Sequence, residues 1–101
     1  MSTERFAVYR SPEGNGYLLN IQAEAMSHFN TRVVVPLLPL EDAPKPATRL
    51  NPQFDIDGKP YSMVTQYLGT VPVKLLKHPV FRADARRDEI VEAVDLLLQG
   101  F

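Results

Sequence analysis

A single amphipathic helix near the C-terminal end limits the folds open to this 101-residue chain more than any other feature. Apolar side chains recur there at helical spacing, while most charged side chains fall on the remaining surface. The apolar stripe consists of Ile90, Val91, Val94, Leu97 and Leu98. The pattern predicts a helix from Asp84, its N-cap, to Leu98, with Gly100 as the left-handed residue after the last turn. Such a helix must pack against other elements of the fold.

The chain before this helix has the pattern of short strands separated by turn residues. Segments with strand character are 5–10, 17–22, 32–38, 54–57, 60–66 and 71–76. The Asp57-Gly58 pair can supply both positive-φ residues of a type I′ turn, and it therefore predicts a hairpin. Pro36 cannot donate a hydrogen bond to a strand ladder, so we expect it at a bulge or at a strand end.

The order of strands first and one helix last predicts the fold class. We expect a mainly β, α+β protein in which an antiparallel sheet of six or so short strands is closed by the C-terminal helix. Residues 23–30 are helix-like in composition but have room for only one or two turns. Residues 39–52 are rich in proline and are expected to form a surface loop. The length fits one domain over residues 1–101.

Composition argues against several classes of function. The net charge is −1 with acidic and basic residues interspersed, which argues against binding to nucleic acid or to an anionic membrane. Without cysteine the chain has no disulfide, thiolate nucleophile or thiolate zinc site. The first 30 residues show no long apolar stretch behind a basic start, and no apolar run is long enough to span a bilayer. We therefore expect a cytoplasmic protein.

The residues that could support catalysis are few and scattered. His28 and His78 have no His or Cys partner at metal-ligand spacing. Asp55 and Asp57 resemble the start of a calcium loop, but Lys59 follows where further oxygen ligands would be needed. No serine lies in a nucleophile-elbow pattern, and no glycines form a phosphate-binding loop. The residues alone predict no enzyme, cofactor or metal site, and they favour a small β-rich domain that works through its surface.

The last residues of the chain are unusually apolar for a terminus. Three leucines lead into Gln99, Gly100 and Phe101. One interpretation is that Phe101 folds back against the sheet, as an apolar residue beside a helix-ending glycine often does. The other is that residues 98–101 form a recognition tip, which a rigid helix delivers to a pocket of a partner.

Several stretches, taken in order, are similar to one protein family. They are FAVY (6–9), YLLNIQ (17–22), TRVVVPL (31–37), TVPV (70–73), DEIVEAVDL (88–96) and QGF (99–101). Together they cover almost the whole chain, which resembles the CcdB family, the gyrase-poisoning toxins of CcdA–CcdB toxin–antitoxin pairs. The resemblance implies an SH3-like antiparallel β-barrel with a C-terminal α-helix, assembled as a symmetric homodimer.

The resemblance also implies a function without catalysis. Family members bind the A subunit of DNA gyrase with the chain ends of both protomers and trap the covalent gyrase–DNA complex. The disordered C-terminal segment of the antitoxin folds on the toxin and blocks it or strips it from gyrase. In this chain the corresponding gyrase-binding residues are Gln99, Gly100, Phe101, Leu98, Asp95, Ala25 and Met26.

The tip departs from the family pattern, which keeps two alternatives open. The family tip is typically Trp-Gly-Ile, whereas this chain has Gln99-Gly100-Phe101, and an amide does not replace the stacking area of an indole. The first alternative is a non-toxic CcdB homologue. The second is an endoribonuclease toxin of the MazF/Kid type, which shares the barrel. That chemistry needs a base and cations at the scissile phosphate, for which His28, Arg32 and Asp55 are available.

Overall fold

The computed structural model describes residues 4–100, so the predicted contact residue Phe101 lies outside the described residues. The strands of this part are β1 (Ala7–Arg10), β2 (Tyr17–Asn20), β3 (Thr31–Pro39), β4 (Gln53–Ile56), β5 (Lys59–Met63), β6 (Gly69–Pro72) and β7 (Phe81–Arg82). One α-helix, α1 (Arg87–Gln99), follows them. Short 3-10 helices lie between these elements at Glu24–Met26, Leu40–Asp42, Thr65–Tyr67, Val73–Leu75 and Asp84–Arg86.

The strands form one antiparallel sheet with the order β4-β5-β3-β2-β1-β7. The long strand β3 organises it, because one edge of β3 pairs with β2 while the other edge pairs with two strands. Residues 31–34 of that second edge pair with β6, and residues 37–39 pair with β5. The sheet curls into a half-barrel that α1 covers. This architecture confirms the predicted mainly β, α+β barrel fold with a C-terminal helix.

Pro36 lies inside β3, so the expectation of a bulge or a strand end is wrong. Its pairing with Leu18 belongs to an unbroken register with β2 that runs from residue 34 to residue 37. On the other edge Pro36 falls between the β6 and β5 pairings, where its carbonyl accepts a hydrogen bond from the N–H of Val64 at 3.0 Å. The missing N–H faces this break in the ladder, and its loss therefore costs no strand hydrogen bond.

The core has a larger and a smaller part on opposite faces of β1. The larger cluster contains the buried residues Phe6, Val8, Tyr17, Leu19, Val35, Leu37, Phe54, Ile56, Tyr61, Met63, Ala83, Ile90 and Ala93. The smaller cluster contains Ala7, Tyr9, Val34 and Leu76. Side chains along β1 alternate, so that Val8 faces the larger cluster while Ala7 and Tyr9 face the smaller one. Both faces of β1 are therefore buried: one packs in the cluster that includes α1, and the other packs in the cluster that includes Val34 of β3.

Two predictions about local turns are confirmed. Asp57 and Gly58 have φ angles of 54° and 80° and connect β4 to β5 as a tight hairpin. Gly100 ends α1 in the left-handed conformation, with φ 82°, and its N–H donates a hydrogen bond of 2.9 Å to the carbonyl of Leu96. The loop predicted over residues 39–52 is found only in part: Pro39 ends β3, residues 40–42 form a 3-10 helix, and residues 43–52 contain no helix or strand but end in the buried Asn51 and Pro52.

Asp84 does not cap the helix, so that prediction is wrong. The α-helix begins at Arg87 after the 3-10 helix, and the Asp84 carboxylate instead accepts a hydrogen bond of 2.7 Å from Nε of Arg82. A charged guanidinium is a stronger donor than a peptide N–H, and it lies only two residues away. The strand predicted over 71–76 also ends early, at Pro72, because residues 73–75 turn into a 3-10 helix.

Candidate functional site

The end of α1 carries four of the predicted contact residues, Asp95, Leu98, Gln99 and Gly100. Leu98 is 67% exposed, the highest value among the exposed large apolar side chains of residues 4–100. Gln99 and Gly100 are exposed as well, whereas Asp95 is half-buried. The last turn of the helix therefore presents a short surface with an apolar centre.

Leu98 does not belong to the buried face of the helix, although the sequence placed it in the apolar stripe. Ile90 and Ala93 are fully buried, Val94 and Leu97 are half-buried, and Leu98 is exposed. These positions follow the spacing i, i+3, i+4 and i+7. Leu98 lies at nearly the same helical angle as the half-buried Val91, seven positions earlier, so its exposure reflects its place in the last turn of α1. The protein does not use this leucine for its own core.

A cleft beside Asp95 is too small for an ordinary small-molecule ligand. It lies between α1 and the start of β1 and has a volume of ≈ 70 Å³. Its walls are formed by Arg5, Phe6, Ile21, Ile90, Val91, Val94 and Asp95. Sites for small molecules usually enclose about 300–1,000 Å³. Asp95 also borders a larger recess of ≈ 420 Å³, which is lined mainly by charged side chains of α1 and by Arg49.

Ala25 and Met26 lie on the 3-10 helix between β2 and β3. Both are exposed, and Met26 exposes 45% of its surface. Among residues 4–100, no hydrogen bond or ion pair joins this helix to the end of α1. The predicted contact residues are therefore brought onto two separate elements, the 3-10 helix before β3 and the end of α1.

Arg32 fixes the segment that leads from this 3-10 helix into β3. It is only 4% exposed, and its guanidinium donates hydrogen bonds to the carbonyls of Ser27 at 3.0 Å and Phe29 at 2.6 Å. Its Nε pairs with the Glu4 carboxylate at 2.7 Å. Gln22 adds a bond of 2.8 Å from its amide to the carbonyl of Met26. Side-chain donors thus satisfy backbone carbonyls of residues 26–29, which lie outside the hydrogen-bond ladder of the sheet.

The same network lies near the phenol of Tyr9. Burial raises the pKa of Tyr9, and the nearby Glu4 carboxylate raises it further because it disfavours a second negative charge. The positive charges of Arg32 and Arg82 lower the pKa and oppose this effect. Tyr9 therefore remains a neutral member of the smaller core cluster, and the charges around it belong to the Arg32 network.

The three residues named as available for endoribonuclease chemistry, His28, Arg32 and Asp55, are not brought together. His28 and Arg32 line a recess of ≈ 390 Å³ beside the 3-10 helix Glu24–Met26. Asp55 lines a different recess of ≈ 360 Å³, together with Arg10 and Tyr17. The guanidinium of Arg32 is moreover committed to Glu4 and to backbone carbonyls. The geometry gives no support to the ribonuclease alternative.

Phe29 is an exposed aromatic residue that the sequence analysis did not single out. It exposes 52% of its surface, and its ring centroid lies 4.3 Å from that of His28. Its N–H donates a hydrogen bond of 3.2 Å to the carbonyl of Met26. The only signal in the sequence was an isolated aromatic residue within a polar stretch, which does not show whether the ring points inward or outward.

Two ion pairs surround the beginning of α1. The Arg82 guanidinium holds the pKa of Asp84 below its ordinary value, chiefly by a hydrogen bond to the carboxylate. Arg86 lowers the pKa of Glu89 in the same way. Arg86 also lies 4.2 Å above the ring of Phe54, which connects the helix start to β4. These charges anchor the helix and are not part of the candidate contact surface.

Neither a metal centre nor a membrane-spanning helix is found in the part of the chain that the structure describes. Within residues 4–100 no three His, Cys, Asp or Glu side chains are grouped so that they could hold a metal ion. No helix in this range combines the length and apolar character needed to cross a bilayer.

The fold and the exposed residues define a class: a small antiparallel half-barrel with a C-terminal helix, in which the candidate contact residues among residues 4–100 are exposed or half-buried. Residues 5–100 match the family model described as CcdB protein. The chain therefore belongs to the CcdB family, and it is a toxin of the CcdA–CcdB type. A comparison with curated proteins gave no match.

Proposed function

We propose that this toxin binds the A subunit of DNA gyrase and traps the covalent gyrase–DNA complex. It acts by protein–protein contact and catalyses no reaction itself. The observation that carries the proposal is the exposed apolar end of α1 in a chain that matches the CcdB family over residues 5–100. The proposed contact residues are Asp95, Leu98, Gln99, Gly100 and Phe101 at the chain end, with Ala25 and Met26 before β3.

The proposal includes a homodimer of single-domain protomers. A symmetric pair repeats the same surface patch on both subunits and so presents two identical helix ends to a two-fold target. When both ends bind at once, the second contact forms within the complex and strengthens the first. Leu98, which is exposed and apolar in the protomer, then serves a contact with another molecule instead of the core.

The proposed partners also include a CcdA-like antitoxin. A disordered antitoxin segment that folds on the toxin can cover a large surface and compete with gyrase. The site of action is the cytoplasm, where gyrase and its DNA are found. No cofactor takes part, and direct contact with nucleic acid is not required, because the toxin acts on the enzyme that holds the DNA.

Removing residues 99–101 tests the proposal. We expect the shortened protein to keep its fold, because the deletion takes from α1 only its exposed last residue, Gln99. We expect it to lose inhibition of purified gyrase and growth arrest in bacteria. Circular dichroism and thermal unfolding verify the fold, and a supercoiling assay measures the inhibition. If the shortened and full-length proteins inhibit gyrase equally, the chain end is not the contact site.

Gln99 favours the second candidate function, a CcdB homologue that does not poison gyrase. A tip without an aromatic ring at this position lacks the stacking area that an indole supplies. Comparing the protein with its Gln99→Trp variant distinguishes the two. If the protein is a gyrase toxin, the unsubstituted form inhibits gyrase and the Gln99→Trp variant inhibits it more strongly. A non-toxic homologue causes no growth arrest and no gyrase inhibition until the ring is introduced.

A further inference from the structure

Met26 and Phe29 form an apolar pair that the protein leaves in solvent. They are 45% and 52% exposed, and a backbone hydrogen bond of 3.2 Å from Phe29 to Met26 joins them. His28 lies between them in the chain and packs against the Phe29 ring at a centroid distance of 4.3 Å. The two large apolar side chains thus lie three positions apart on one short exposed segment, instead of being scattered singly over the surface.

The backbone beneath this pair is held rigidly. Arg32 donates to the carbonyls of Ser27 and Phe29, and Gln22 donates to the carbonyl of Met26. The Gln22 side chain is itself fixed, because its oxygen accepts a hydrogen bond of 2.9 Å from the N–H of Val33 in β3. A segment that is ordered before binding loses less conformational entropy on contact with a partner. The backbone that carries the pair is thus ordered before a partner binds.

We propose that Phe29 is a further contact residue for the gyrase A subunit and that Arg32 is the positioning residue that holds it outward. The inference rests on the proposed function, because Phe29 extends the patch that begins with Ala25 and Met26. Aromatic side chains supply much of the affinity of protein interfaces. Phe29 adds an aromatic ring to a contact surface in which Gln99 takes the place of the tryptophan that is typical of the family tip.

Replacing the ring tests the contact directly. Phe29→Ala removes a half-exposed side chain, so we expect thermal unfolding to stay close to that of the unsubstituted protein. The concentration for half-maximal inhibition of purified gyrase rises by about tenfold or more, as expected for an anchor residue. Phe29→Tyr keeps the ring and retains most of the inhibition. Tyr67→Ala is the matched control, because Tyr67 is 56% exposed on a different 3-10 helix.

The role of Arg32 is tested by combining substitutions. Arg32→Lys keeps the positive charge near Glu4 but loses the forked donor that reaches two carbonyls, so gyrase inhibition weakens. If Arg32 acts through Phe29, Arg32→Lys causes little further loss in the Phe29→Ala background. Independent, additive losses overturn the positioning role. Inhibition is expressed per folded protein, so that reduced stability of the Arg32 variant does not imitate a loss of binding.

The outcomes separate this inference from the proposed function. If the unsubstituted protein inhibits gyrase and Phe29→Ala inhibits it equally well, Phe29 is not a contact and only this inference is wrong. Equal losses in Phe29→Ala and Tyr67→Ala also overturn it, because the effect is then not specific to the patch. If the unsubstituted protein and its Gln99→Trp variant both fail to inhibit gyrase, the proposed function is wrong and the inference falls with it.

Discussion

Arg32 and Glu4 are 28 positions apart in the chain and form an ion pair whose two ends differ in burial. The distance from Nε of Arg32 to the carboxylate of Glu4 is 2.7 Å, with the arginine side chain 5% exposed and the glutamate side chain 37% exposed. The remaining donors of Arg32 bind carbonyls of residues 27–31. The pair therefore connects Glu4, three positions before the start of β1, to the segment that carries Met26 and Phe29.

We expect the two ends of this pair to differ in their effect on stability. Arg32→Ala leaves several carbonyls without a donor and should lower the free energy of unfolding by about 3 kcal/mol. Glu4→Gln keeps an acceptor at a partly exposed site and should cost about 1 kcal/mol. Arg49→Ala is the control, because it removes an ion pair with Glu92 that is exposed on both sides. Urea unfolding measures all three, and a similar cost for Arg32→Ala and Arg49→Ala would contradict the assignment.

Two glycines of the β1–β2 turn provide a second test. A Cβ at Gly16 would collide with the backbone carbonyl of Leu37 in β3, whereas a Cβ at Gly14 meets no atom within 4 Å. Gly16→Ala should therefore destabilise the protein by about 2–3 kcal/mol, because the backbones of β2 and β3 must move apart. Gly14→Ala should leave the free energy of unfolding within about 1 kcal/mol of its original value. Thermal unfolding compares the two, and equal stability would show that the close approach is not rigid.

Features that depend on neighbouring residues could be predicted from the sequence. The Asp57-Gly58 hairpin, the helix near the C-terminal end and its stop at Gly100 all follow from local backbone preferences. The class of fold follows as well, because a run of strands before a single helix allows few arrangements. The sequence placed Leu98 both in the buried stripe and among the proposed contact residues, and the structure shows only that its side chain is exposed.

Features that depend on contacts across the chain could not be predicted. Nothing near Arg32 in the sequence identifies Glu4 as its partner, or shows that its other donors fix the carbonyls before β3. The Asp84 cap failed because Arg82 competes for the same carboxylate. The outward position of Phe29 depends on the Arg32 network, so composition and periodicity could not reveal it.

The ion pair at the start of α1 should make stability depend on pH. A hydrogen bond from Arg86 lowers the pKa of Glu89 in the folded protein. The ionised carboxylate therefore stabilises the folded state fully at pH values above 4.5, the ordinary pKa of glutamate, and this stabilisation is lost as the pH falls through the lowered pKa. Because the Glu89 side chain is 52% exposed, solvent screening limits the effect to about 0.5 kcal/mol. Glu89→Gln should therefore be slightly less stable than the unsubstituted protein at pH 7 and equally stable in strong acid.

Urea unfolding at a series of pH values measures this difference. Glu13→Gln serves as the control, because Glu13 lies in the exposed β1–β2 turn and its carboxylate forms no ion pair among the described residues. A Glu89→Gln difference that persists unchanged in strong acid would mean that the glutamate stabilises α1 by some means other than its charge.

Leu98 and Ile90 should separate function from stability within one helix. Ile90 is 1% exposed, so Ile90→Ala should cost about 2–5 kcal/mol of unfolding free energy through lost burial and a residual cavity. Leu98→Ala should change stability by less than about 0.5 kcal/mol, since the side chain is already in water. If the end of α1 is the gyrase contact, Leu98→Ala nevertheless weakens gyrase inhibition by about tenfold. Leu75→Ala is the control at another exposed leucine and should change neither the unfolding free energy nor the inhibition. If Leu98→Ala inhibits gyrase as strongly as the unsubstituted protein, Leu98 is not part of the contact.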